Sequence, residues 1–276
     1  LDVAAIANCD FYLPSRPDLN FMKDVPTGNR PFINHQFTRF MFQQIKDKLK
    51  GHFINNLSIP NFDKSMKRLK EFGYKPKTIF DIGAYKGEFA RFCLDLWGDV
   101  NVVCFEPLTE KAAELQKWAE KENRVTVIHG LLGDENREKV KFNESETASS
   151  VLDEHHSKDF KTTYHKMRTL DACIREFGLD APNLVKIDTQ GFEYQIISGL
   201  LGNLEKVDII IAELNHLDLH KEVRLAEEVI GLLFQNGFVI YDIVEIHRRP
   251  LDLVIWQTDF MFVRKDSFLR ANKQWK

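Results

Sequence analysis

The sequence predicts a doubly wound α/β fold: a mainly parallel sheet, helices on both faces, and an N-terminal helical extension. Three observations carry this. From residue 78 onward, short apolar runs alternate with amphipathic stretches. A turn bearing two glycines follows the first run, and an acid ends the second. Two β-rich runs, "FVIYDIVEI" and "DFMFVRK", close the chain and can pair as a hairpin at the sheet edge.

Taken in order, residues 1 to about 33 are rich in Pro, Asn and Asp and show no sustained period, as expected of an extended arm. Residues 34–50 place Phe37, Phe40, Met41, Ile45 and Leu49 near helical spacing, which predicts an amphipathic helix. A second helix is expected in "NFDKSMKRLKEFG", capped by Asn61 or Asp63 and stopped at Gly73. Residues 1–76 thus form an arm with helices that can cap the sheet, shape a substrate site or contact another subunit. Residues 77–276 form the main domain. Strands are expected at 78–82, 101–105, 125–129, 184–187 and 208–212, with helices at 87–97, 108–122, 192–205 and 219–236. The segment 134–168 interrupts the alternation and predicts an inserted strand, a polar loop and a strand leading into another helix.

Composition narrows the classes. The chain has 276 residues, 43% of them hydrophobic, enough for a sizeable core. A net charge of -3 gives no global basic field, so no nucleic-acid partner is expected. The four cysteines form no C-x-x-C pair, and Cys93 and Cys104 lie in apolar runs as reduced core thiols. No apolar run reaches the roughly 18 residues of a membrane span. No secretory leader opens the chain, so a cytoplasmic location is expected. The first residue is Leu1, consistent with part of a longer chain.

The glycine turn, "TIFDIGAYKGEFA", selects the cofactor. A dinucleotide fingerprint requires G-x-G-x-x-G, but with Gly83 at the middle position Asp81 and Lys86 replace the other two glycines. A Walker loop is also absent. The stretch reads D-x-G-x-x-x-G through Asp81, Gly83, Ala84 and Gly87. An acid here repels a pyrophosphate but suits an ammonium or the hydroxyls of a nucleoside. "VNVVCFEP" then ends its strand at Glu106, 23 residues after Gly83, where a carboxylate can accept from both ribose hydroxyls. Pro107 breaks that strand. A nucleoside with a cationic amino-acid tail follows, and S-adenosyl-methionine is the expected cofactor rather than NAD.

From about Lys77 to Lys265 the chain resembles the FkbM-type methyltransferases. The matching pieces are "FDIGAYKGEFA", "VVCFEPLTE", "TASSVL", "RTLDACI", "LVKIDTQGFEYQIISG", "IIIAELN" and "DFMFVRK". The resemblance implies a seven-stranded Rossmann-like sheet and methyl transfer from S-adenosyl-methionine to a hydroxyl, often on a sugar or a polyketide-like product. It also places Ser149 and Ser150 at a recurring family motif. Many relatives carry Glu where this chain has Gln190, so that carboxylate's role does not transfer.

The remaining candidates lie at strand ends. Methyl transfer to an alcohol needs in-line alignment and removal of the hydroxyl proton. Asp188, ending "LVKID", is expected to act as base or substrate anchor beside the cofactor, or to cap the next helix. His216 is the second base candidate, and Glu213 ends the same strand. Asp188, Glu213 and Asn215 make a plausible oxygen-ligand set for Mg²⁺ or Mn²⁺. Glu193 can simply favour the helix dipole. Lys186 can steer an anionic substrate or pair with a nearby carboxylate. His155 and His156 are expected in an exposed loop. The expected activity is O-methylation of a sugar, glycan or related natural product; the alternative is a non-catalytic nucleoside-binding or assembly module.

Overall fold

The apolar runs become strands in the order the sequence sets them. The computed structural model describes residues 59–144, 149–153 and 161–275. The helix expected over 34–50 and the pair His155–His156 lie outside these residues. The chain divides into two compact units, Leu1–Leu57 and Ser58–Lys276, and all the described elements belong to the second.

Helix α1 (Phe62–Glu71) starts where Asn61 accepts a hydrogen bond from the Lys64 backbone N–H at 2.9 Å. Strand β1 (Thr78–Ile82), helix α2 (Glu88–Trp97), strand β2 (Asn101–Glu106), helix α3 (Thr109–Ala119) and strand β3 (Val125–His129) follow in alternation. Strand β4 (Leu131–Leu132), just before the interrupting segment, joins β5 (Arg137–Glu144) and β6 (Lys161–Arg168) within it in a separate three-stranded sheet. Strand β4 is too short to leave a period in the sequence and was not expected. Helix α4 (Leu170–Glu176), strand β7 (Leu184–Ile187), helix α5 (Glu193–Ser198), strand β8 (Ile209–Asn215) and helix α6 (Ala226–Gln235) resume the alternation. Strands β9 (Phe238–Arg248) and β10 (Ile255–Arg264) complete it as an antiparallel hairpin.

Two helices are shorter than their amphipathic patterns suggest. After Ser198 the chain passes Gly199 and Gly202 into a short 3₁₀ turn, Leu204–Lys206. Helix α6 begins only where the Glu228 carboxylate accepts from the Leu225 N–H at 3.2 Å.

The main sheet has seven strands in the order β3-β2-β1-β7-β8-β10-β9. The first five are parallel, and β10 runs antiparallel to both its neighbours. Alternation divides the core between the two faces. Phe80, Ile82, Phe105 and Ile187 pack on one face; Ile79, Cys104, Leu184 and Ile211 pack on the other with Ala90 and Cys93 of α2. Fully burying such a side chain stabilises by about 1.5–3 kcal/mol, so the two layers together fix the sheet against its helices. Cys93, Cys104 and Cys173 are free and buried. Helix α1 is tied to β9, with the Ser65 hydroxyl donating to Asp242 at 2.6 Å and Arg68 pairing with the same carboxylate at 2.8 Å. None of the described helices is long and apolar enough to cross a membrane.

Strand order reverses between β1 and β7, because the chain builds outward from β1 to β3 and then returns to the other side. Ligands of open parallel sheets occupy the crevice beyond the carboxyl ends at such a point.

Candidate active site

The turn after β1 is clamped at that crevice by its own backbone. The N–H groups of Gly83 and Ala84 both donate to the Phe105 carbonyl, at 3.0 and 3.1 Å. Gly83 has φ +77°, and a Cβ there would lie 2.0 Å from the Asp188 carbonyl oxygen. Only glycine lets the ends of β1 and β7 approach this closely. Gly87, also at positive φ, backs onto Leu115 and Trp118 of α3, so its small size serves helix packing.

A cavity of about 260 Å³ opens beside this clamp. Of the residues expected from the sequence, Gly83, Glu106, Pro107, Asp188 and Glu213 line it, joined by Tyr85, Ser149 and Gln190. Asp81, Ala84, Gly87, Ser150, Asn215 and His216 are not among the lining residues. Four non-glycine residues have positive φ among those described, and two of them, Tyr85 (49°) and Gln190 (54°), face this cavity. Such strain persists where the surroundings enforce it, and it concentrates at functional sites.

At one end stands Glu106, at the tip of β2 and 3% exposed. Its Oε2 accepts from the Tyr85 N–H at 2.7 Å and its Oε1 from the Leu108 N–H at 2.8 Å. Burial raises its carboxyl above the ordinary value, and these two N–H groups offset part of that rise. The bonds hold Tyr85 in its left-handed conformation and leave each oxygen a further lone pair.

At the other end, ionisable groups crowd together. Asp188 pairs through Oδ2 with the Lys186 ammonium at 2.8 Å. Burial would raise this carboxyl, but Lys186 and the Gln190 amide outweigh it and hold it below the usual range. Lys186 is shifted well upward: burial opposes its charge, yet Asp188 and Asp81 overcome the opposition. Gln190 Nε2 donates to Glu213 Oε1 at 2.9 Å and lies 3.5 Å from Asp188 Oδ1, so its amide bridges the two carboxyls. Burial, then the charges of Asp188, Asp259 and Glu193, push Glu213 up to about 8.

Glu193 fixes the loop that carries Gln190. It is 1% exposed, and its Oε1 accepts from the Thr189 N–H, the Thr189 hydroxyl and the Gly191 N–H at 3.0–3.1 Å. Burial nonetheless pushes its carboxyl up to about 7.

The other expected residues lie outside the cavity lining. Asp81 is 1% exposed on the sheet face covered by α2. Neither of its oxygens has a hydrogen bond of standard geometry. Burial pushes it up to about 6, against the Lys186 charge and the Ala90 backbone N–H. Ser150 bridges Asn143, and its hydroxyl donates to the Gln190 carbonyl at 3.0 Å. Asn215 accepts from Gln257 at 3.2 Å. His216 Nε2 lies 2.9 Å from the Thr258 hydroxyl, and its ring packs edge-on against Phe260.

Two ionisable residues here have no counterpart in the sequence reading. His247 of β9 reaches Glu213 at 3.6 Å and Asp259 of β10 at 3.4 Å. The contact with Asp259 raises His247 to about 9 against its burial. The one signal was an acid opening the apolar run "DFMFV", at a position where alternation turns it inward.

Comparison with known proteins bears on this arrangement. The model of the family described as "Methyltransferase FkbM domain" matches residues 81–240. A relative, the 2-O-methyltransferase NoeI of Sinorhizobium fredii (strain NBRC 101917 / NGR234), is 25% identical over 172 residues, covering 56% of this chain and 70% of that protein. Similar solved structures include a precorrin-6y C5,15-methyltransferase from Geobacter metallireducens (TM-score 0.43, 12% identity, 74% of this chain and 86% of that one). Another is an Aeropyrum pernix fibrillarin bound to S-adenosyl-L-methionine (TM-score 0.43, 12% identity, 72% and 73%). The family match spans more than half the chain, over the strands and loops that build the cavity: the chain belongs to the FkbM methyltransferase family.

Proposed function

We propose that this protein transfers a methyl group from S-adenosyl-methionine to a hydroxyl of a sugar, glycan or related hydroxylated metabolite. The observation that carries the proposal is one cavity with Glu106 at one end and the Asp188–Gln190–Glu213 cluster at the other. The donor set suits the cofactor. Glu106 keeps a lone pair on each oxygen for a ribose diol, and the apolar walls of Phe105, Pro107, Leu131 and Phe142 suit a purine. The excess of carboxylates at the far end suits a cationic ligand. When bound, S-adenosyl-methionine supplies an electrophilic methyl group.

The protein's own task is to align the acceptor oxygen and receive its proton. Asp188 is poorly suited to the second part, because its ion pair with Lys186 stabilises the carboxylate and weakens it as a base. It anchors ligands instead. Glu213 is the better proton acceptor: Gln190 holds one oxygen, and the other has no partner closer than His247 at 3.6 Å. The NoeI relative, named as a 2-O-methyltransferase, supports oxygen as the acceptor atom. A crowded ionisable cluster at a cleft favours turnover over the alternative of a binding module without catalysis.

The test is transfer of a labelled methyl group from S-adenosyl-methionine to a panel of neutral sugars and nucleotide sugars. Label should appear in an O-methyl sugar with the parent protein and fall steeply with Glu213→Gln. Absence of transfer to every hydroxylated acceptor would overturn the reading, and equal rates in both proteins would remove Glu213 from the proton step.

A further inference from the structure

We propose that Glu213, His247 and Asp259 form a binding site for a divalent first-row transition ion of the Mn²⁺ or Zn²⁺ class. Strand pairing places Glu213 of β8 directly opposite Asp259 of β10. Carboxyls directly opposite in an antiparallel pair repel when both ionise, a strain that a protonated His247 or a divalent ion between them relieves. His247 of β9 supplies a ring nitrogen at the same place, and one potential ligand atom from each residue lies within 4.8 Å of the others.

The distances favour an ion over direct hydrogen bonds. His247 Nε2 is 3.4 Å from Asp259 Oδ1 and 3.6 Å from Glu213 Oε2. A charge-assisted imidazole–carboxylate bond would close to about 2.7–2.9 Å. Ligand atoms on a tetrahedral ion with bonds of about 2.1 Å are instead about 3.4 Å apart. Asp259 is 8% exposed, and its Oδ1 is buried without a hydrogen bond, which leaves an anionic acceptor aimed into the gap. Lys186 attracts Asp259 only at longer range, since its ammonium is paired directly with Asp188 at 2.8 Å. Glu245, paired with Asp259 across the β9–β10 hairpin, adds another negative charge. One imidazole with two carboxylates selects Mn²⁺, Fe²⁺ or Zn²⁺ over Mg²⁺ and Ca²⁺, which take all-oxygen sets.

These ligands differ from the Asp188–Glu213–Asn215 set expected from the sequence. They share Glu213 with it, and Glu213 also lines the cavity. The chemical use of the ion rests on the methyl-transfer reading: at this wall it would polarise the acceptor hydroxyl, and with the ion bound Glu213 Oε2 would serve as ligand rather than as base. Its binding does not depend on that reading.

The test is calorimetric titration of the metal-stripped full chain with MnCl₂, ZnCl₂ and MgCl₂, without S-adenosyl-methionine or sugar. All proteins carry His155→Ala and His156→Ala to remove a competing histidine pair. One Mn²⁺ or Zn²⁺ site per chain is expected, at least tenfold weaker in His247→Ala and weaker for Mg²⁺. Silence in the parent, unchanged binding in His247→Ala, or equal preference for Mg²⁺ overturns the site. X-ray absorption on the Zn²⁺-loaded parent needs no ligand variant: one imidazole with oxygen neighbours is expected, and sulfur or all-oxygen coordination contradicts it. Methyl transfer is measured separately, so failure of one proposal does not mask failure of the other.

Discussion

The two ends of the cavity are built differently. At the β2 end, a single carboxylate receives one backbone N–H on each oxygen, both within 2.8 Å. At the β8 end, Glu213 lines the cavity and His247 behind it lies 3.6 Å from Glu213 and 3.4 Å from Asp259, whose Oδ1 lacks a hydrogen bond. The first end is complete as folded and serves as a fixed cradle. The second leaves Asp259 Oδ1 without a hydrogen bond, the place where the proposed ion would bind. At Glu106 the two backbone N–H groups favour the carboxylate form, which suits recognition. A carboxyl held among other ionisable groups can change state, which suits chemistry.

The largest effect is expected at the β8 end. Glu213→Gln keeps the shape and the Gln190 contact region but removes a base, so turnover should fall by about 10²–10⁴. Fixed-time methyl transfer, with unfolding curves to confirm that the fold survives, checks this. A smaller loss would move the proton step to another group.

The next effect concerns the clamp between the two ends. Gly83→Ala forces a left-handed residue and a Cβ 2.0 Å from the Asp188 carbonyl. Destabilisation of about 2–4 kcal/mol is expected in urea unfolding. A change below about 0.5 kcal/mol would show that β1 and β7 do not meet this closely.

Much of this was legible in the sequence. The strands at 78–82, 125–129 and 184–187 have the expected bounds: 78–82 and 184–187 are central parallel strands read as short apolar runs with sharp ends, and edge strand 125–129 shows the apolar spacing of Val125, Val127 and Ile128. Glu106, Asp188 and Glu213 were legible as acids ending such runs. Asp81 was read by the same logic, yet its strand position turns it to the face under α2, a choice of side that spacing alone does not make. His247 and Asp259 were hidden for a different reason. They meet through antiparallel pairing with register shifts, and no local pattern reports which side chains face each other across strands. The bridging role of Gln190 was equally invisible, since it depends on a positive φ that the sequence does not announce.

The loop between the ends gives a pH-dependent prediction. Glu193 is held at about 7 and Asp81 at about 6, both above their ordinary values through burial. The unfolded chain therefore releases these protons first as pH rises. Stability from these groups is complete below about pH 4, is lost up to about pH 7, and is flat above it. Asp188 is shifted the other way and acts below this window. Glu193→Gln keeps an oxygen for Thr189 and Gly191 but cannot ionise. Its unfolding free energy should lose a slope on the order of 3 kcal/mol across pH 4.5–7 and match or exceed the parent above pH 7. An unchanged slope would show that Glu193 does not titrate with folding.

The cradle end offers the most direct test of the central claim that this cavity is an S-adenosyl-methionine site. Calorimetry should show one S-adenosyl-methionine bound per chain and no comparable binding of NAD. Glu106→Ala removes hydrogen bonds to a charged acceptor, a loss of about 1.5–3 kcal/mol or roughly ten- to a hundredfold in affinity. Tight NAD binding by the parent, or S-adenosyl-methionine binding unchanged in Glu106→Ala, would contradict the account.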